Sequence, residues 1–64
     1  MNEDIKDLLD LEIEKRLKVN LKNSEGHELK NVIPIKLNKD SVVAKLPSGN
    51  AIVFLDVVEV EIIA

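Results

Sequence analysis

Turn chemistry at three places restricts this chain to short strands joined in series. Asn23-Ser24-Glu25-Gly26, Asn38-Lys39-Asp40 and Pro47-Ser48-Gly49-Asn50 each combine residues that favour tight reversals, and the glycines supply positive φ. The apolar stretches they leave, about Glu28 to Leu37, Ser41 to Leu46 and Ala51 to Leu55, have strand length. Asp56 marks a further tight break, and Val57 to Ile63 reads as a fifth strand. Ahead of the first turn, odd positions from Leu11 onward are apolar apart from Lys15 and even ones are polar, which is strand periodicity. The pattern predicts a mainly β fold: five strands in one bent antiparallel barrel over about residues 16–63. Its first strand lies at about 16–23. Pro34 cannot donate to a ladder, so the second strand is expected to be an edge there or sharply bent.

A short helix precedes the strands, at about residues 3–13. Asn2 suits an N-cap, and Glu3 and Asp4 suit the positive end of a helix dipole. Ile5, Leu8, Leu9 and Ile13 recur at helical spacing. Glu12 with Arg16 and Glu14 with Lys18 have the spacing of exposed ion pairs if the helix runs that far. The two periodicities overlap between Leu11 and Arg16.

At 64 residues this is one domain, 1–64, near the lower size at which a fold stands without disulfides or metal. An apolar content of 45% with 33% charged residues excludes a disordered chain. There is no cysteine, so thiolate metal sites and disulfides are excluded. Met1-Asn2-Glu3-Asp4 is wrong for a secretory leader, and the longest apolar run, Ala51 to Leu55, is far too short to span a membrane. A cytoplasmic protein with no membrane partner is expected. The net charge of −3 argues against a dedicated nucleic-acid binder, although the lysines are concentrated before Lys45 and the last strand is acidic.

The fourth strand is the most informative segment. Ile52 and Phe54 share one face and Val53 and Leu55 the other, yet all four are apolar. One sheet face in a small monomer is normally wet, so the strand is either central and buried on both faces or covered by a neighbour. In the second case Val53 and Leu55, with Val57 beyond them, are the candidate contacts of a homo-oligomer joined through the fourth strand and a neighbour's fifth.

A helix followed by five short antiparallel strands, with a bent second strand and a tight break before the fifth, resembles the Sm-like family, which includes bacterial Hfq. More broadly, it resembles SH3-like barrels. Ile5-Lys6-Asp7-Leu8-Leu9 looks like that family's helix. Leu17-Lys18-Val19-Asn20-Leu21-Lys22 with Gly26-His27-Glu28-Leu29 looks like its first hairpin. Ala51 to Val58 is similar to its closing segment, through which members associate. The resemblance spans essentially the whole chain and implies a ring that binds single-stranded RNA. Its pocket residues carry over poorly. Asp40 stands where the family has an acidic residue, but Ser41, Val42 and Val43 follow it with neither stacker nor amide. Phe54, Leu55 and Asp56 stand where members carry Arg-Gly or Tyr-Lys-His. Lys39, Asp40 and Phe54 are therefore the only candidate RNA contacts, and any RNA binding is expected to be weak. Asn31 to Leu37 also looks like the Val-Ile-Pro-Ile stretch of AbrB-type factors, but the helix that follows in that family is replaced here by a turn and a strand.

No residue set points to catalysis. His27 is the only histidine and sits in a turn with no partner placed to orient it. Of the carboxylates Asp56, Glu59 and Glu61, the alternating Glu59 and Glu61 read as the solvated face of the last strand, and Phe54 reads as a core or interface anchor before a stacking platform. Neither a metal site nor a cofactor motif is present. The sequence supports a non-enzymatic, oligomeric module for protein interaction or regulation, with a divergent Sm-like RNA binder as the alternative.

Overall fold

The computed structural model describes residues 1–63. Helix α1 (Glu3–Lys15) is followed by β1 (Val19–Asn23), β2 (Glu28–Leu37), β3 (Ser41–Lys45), β4 (Ala51–Leu55) and β5 (Val57–Ile62). The strands make one antiparallel sheet in the order β4-β3-β2-β1-β5. No ladder joins β4 to β5 among the described residues, so the sheet is open and those two strands are its edges.

Helix α1 starts as its cap residues dictate. The Asn2 side chain accepts a hydrogen bond from the Ile5 N–H at 2.8 Å. It ends at Arg16, which is left-handed (φ 54°), while the Leu17 N–H bonds back to the Glu12 carbonyl at 3.0 Å. The helix is therefore two residues longer than the apolar spacing alone indicates, and β1 begins later, at Val19. Neither expected ion pair forms on it: Arg16 closes the helix, and Glu12 is buried.

Irregularities in pairing bend the sheet. Between Val19↔Val32 and Leu21↔Leu29, β2 holds one residue more than β1. Asn31 takes φ 56° there, and its N–H is received by the Asn20 side chain at 3.0 Å. A second extra residue, Ile35, lies between Pro34↔Ala44 and Lys36↔Val43. Each bulge adds local twist, so the ends of β2 serve different halves of the sheet. The ladder to β1 ends at Val32, so at Pro34 β2 is paired only with β3, and the buried proline lies on a locally one-sided stretch next to a bulge, as its missing N–H requires. A third bulge sits on β5: Lys22 faces Glu59 but Asn23 faces Val57, which leaves Val58 over.

One residue, Asp56 (φ 55°), links the two edge strands, so the sheet must curl until its edges meet at that end. Its N–H donates to the Asp40 carbonyl at 2.9 Å, and its carbonyl accepts from the Ser24 N–H at 3.0 Å. This one peptide clasps the β1–β2 and β2–β3 turns together. The β1–β2 turn is further held by the buried Asn23 side chain, which accepts from the N–H groups of Glu25 (3.1 Å) and His27 (2.9 Å).

The concave side holds the core: Val19, Leu21, Val32, Val42, Ala44, Phe54 and Val57 from the strands, and Leu9 from α1. Phe54 lies opposite Val42 and shares the core with Val19 and Leu21, whereas Ile52, on the same face of β4, is only partly covered. On β3 the deepest residues are Val42 and Ala44, while Val43 is only partly covered.

Candidate functional site

The sequence-predicted interface residues separate cleanly. Val53 and Leu55 on β4 are 61% and 62% exposed, adjacent along one outer edge of the sheet. Val57 is only 1% exposed and belongs to the core, because the link at Asp56 turns it inward. Its neighbour Val58, expelled by the bulge, is 49% exposed, and Ile62 further along β5 is 46% exposed. Each open edge thus carries two large apolar side chains. The sequence reading missed Val58 because no residue pattern announces a one-residue bulge in the last strand.

The candidate RNA contacts are also split. The loops carrying Asp40 and Asp56 do come together through the 2.9 Å bond described above, and Lys39 is exposed beside them. The Met1 amino nitrogen lies 3.9 Å from a carboxylate oxygen of each aspartate. Phe54 is 7% exposed with its ring in the core, so it offers a base little open face. The shallow cavity beside this junction, about 310 Å³, is lined on one side by Ser24, Glu25 and His27 and on the other by the chain from Val53 to Asp56, Phe54 included. Its charged side chains are predominantly acidic, and His27 is itself 3.6 Å from Glu25. An anionic phosphate backbone meets repulsion there.

Lysines gather elsewhere. Lys18 and Lys45 line a cleft of about 640 Å³ with Asn31, Ser48 and Gly49, at the β3–β4 turn. Lys22 pairs with Glu59 at 3.9 Å, and Glu61 accepts from Asn20 at 2.7 Å, so the acidic residues of β5 are wet and partnered. Among the described residues, no group of three or more His, Asp or Glu is placed to hold a metal ion. None of their helices is long and apolar enough to cross a membrane.

One functional-looking group escaped the sequence reading. Glu12 is fully buried under α1, and neither carboxylate oxygen has a hydrogen-bond partner. Burial pushes its carboxyl up to about 7. The signal was present: Glu12 lies three residues after Leu9 and seven after Ile5, on the apolar stripe of the helix rather than on its wet side. Compared with protein-family models, curated proteins and solved structures, the chain matches none of them.

Proposed function

We propose that this chain is a non-enzymatic, self-associating β module, a small Sm-like or SH3-like barrel in which β4 of one copy pairs with β5 of the next. The observation that carries this reading is the pairing of two open sheet edges with exposed apolar side chains on both: Val53 and Leu55 on one, Val58 and Ile62 on the other. An unpaired edge with apolar flanks is a template for another strand, and proteins that stay monomeric usually blunt it with charge or proline. Here β4 carries neither. Fully burying a Val or Leu side chain is worth roughly 1.5–3 kcal/mol, so covering residues that are about half exposed supplies on the order of 1 kcal/mol each. Joining two different edges is a head-to-tail contact, which closes into a ring when the rotation per subunit divides the circle. In that assembly β4 and β5 complete each other's ladders, and the curled sheet is continued by its neighbours.

Light scattering on the purified chain at micromolar concentration tests it. A multiple of 7.2 kDa is expected. Leu55→Lys should reduce the mass toward the monomer, since a charge is placed in the contact while the core is untouched. A monomer for both proteins overturns the reading.

A divergent RNA-binding role is the second reading, and one observation favours it: the turns bearing Lys39, Asp40 and Asp56 meet at one point, as the resemblance implies. Against it stand the buried Phe54 ring and the paired carboxylates. Titration with labelled uridine-rich and adenine-rich oligonucleotides at two salt concentrations separates the two readings.

A further inference from the structure

The helix docks on the sheet through an unusually poor contact. Of the eight buried apolar side chains in the core, seven come from the strands and only Leu9 from α1. Ile5 and Met1 pack at its margin. The other fully buried side chain on the helix is Glu12, whose two carboxylate oxygens lack any hydrogen-bond partner. A buried ionised carboxylate with no partner is far costlier than a neutral acid in the same place. Its position makes ionisation worse, because Glu12 lies in the last turn, at the negative end of the helix dipole.

No neighbouring charge offsets this. α1 packs against β2 and β5, which bear Glu28, Lys30, Lys36, Glu59 and Glu61. Among the described residues none of these lysines pairs with Glu12, and the acids of β5 are occupied with Lys22 and Asn20. Lys15 and Arg16, one helical turn on, are both exposed and form no ion pair with it.

We infer that α1 is a proton-gated cover: it stays docked while the Glu12 carboxyl keeps its proton, and loss of that proton drives the side chain to water and the helix off the sheet. The strand core holds seven of the eight buried apolar residues, so the sheet persists when the cover lifts. Release frees the faces of β2 and β5 beneath the helix and removes the Ile5 wall from a groove of about 530 Å³ whose strand side mixes Leu21, Val58 and Val60 with the charged Glu28, Lys30 and Glu59. This gate does not depend on self-association and operates in a single copy of the chain.

Amide hydrogen exchange by NMR, corrected for the intrinsic pH dependence of exchange, reads it directly, together with a carbon-detected titration of the Glu12 carboxyl. With the carboxyl displaced from 4.5 to about 7, the opening equilibrium of α1 should rise about 30-fold between pH 5.5 and pH 8. Amides of β1 and β3 should stay better protected than those of α1 at every pH, because the sheet opens only on global unfolding while the helix opens before it. In Glu12→Leu the α1 protection should be higher and independent of pH. Glu12→Gln, which keeps the size and removes the charge, serves the same comparison if the leucine variant fails to fold. All are measured in a His27→Asn background, which removes the chain's one imidazole. A Glu12 carboxyl titrating in the ordinary carboxylate range overturns the inference. So does α1 protection that follows the same pH course in the variants, or α1 amides no less protected than those of β1 and β3 at every pH.

Discussion

Removing the Phe54 ring tests the packing of the sheet at its most concentrated point. Phe54 is the only aromatic residue, is 7% exposed, and meets Val42 across the β3–β4 ladder over the side chains of Val19 and Leu21. Emptying a buried aromatic site to alanine costs about 3–5 kcal/mol, from lost transfer energy plus the cavity that remains. Stability of about 0.05–0.15 kcal/mol per residue gives a domain of this length roughly 3–10 kcal/mol in total. Phe54→Ala should therefore be largely unfolded, or sit close to its midpoint without denaturant. Urea titration followed by far-UV circular dichroism measures this, as the chain contains neither Trp nor Tyr for fluorescence. Phe54→Leu keeps more of the volume and provides a measurable transition for the same site. A control lies one residue away: Leu55 points outward, so in the monomeric state Leu55→Ala should change stability by less than about 0.5 kcal/mol. If Phe54→Ala costs under about 1 kcal/mol, the inward orientation of β4 is wrong and the ring is free to bind a ligand.

Three other outcomes are expected. The Glu12 carboxyl is raised from 4.5 to about 7 on folding, so the unfolded chain loses this proton first and stability falls as pH climbs from about 4.5 to 7, by on the order of 3 kcal/mol. The difference between wild type and Glu12→Gln in urea series at pH 4, 6 and 8 isolates that contribution, and equal pH slopes would exclude it. Asn23→Ala strands the two turn N–H groups that the side chain receives and should cost about 1–3 kcal/mol, whereas Asn23→Asp keeps an acceptor and should recover much of it; matching losses in chemical denaturation would refute the assignment. Oligonucleotide affinity should be weak, fall steeply with salt and show little base preference, because lysine–phosphate contacts alone are left to provide it. Sub-micromolar, base-selective binding at physiological salt would restore the RNA reading.

The strand boundaries were largely legible because the turns are local. Gly26 and Gly49, at φ 85° and 97°, sit where the glycine-containing turns required them, and Asp56 supplies the sharp break its position suggested. What local pattern could not show was the consequence of bulges. Val58 leaves the ladder because β5 carries one residue more than β1, and that single residue exchanges Val57 for Val58 on the surface. Likewise β2 bends at Asn31 as well as beside Pro34, since the Asn20 side chain, supplied by another strand, receives the N–H that the bulge releases. Glu12 was misplaced for a different reason. Its spacing to Arg16 suggested a surface ion pair, but Arg16 is consumed in ending the helix and the sheet covers the face on which Glu12 lies. Of the candidate site, the outward pair Val53 and Leu55 could be read from alternation alone, because one face of β4 must be wet or covered by something else.

Whether the open edges meet each other decides the account, and sedimentation velocity over a range of micromolar concentrations reads it most directly. Wild type should sediment as an assembly of several 7.2 kDa chains, and Leu55→Lys and Val58→Lys, each altering one of the two edges, should both shift it to the monomer. If these variants are mixed, each retains one intact edge, so β4 of Val58→Lys and β5 of Leu55→Lys should still join in pairs. A wild-type chain that remains a monomer throughout, or variants that assemble undiminished, would contradict it.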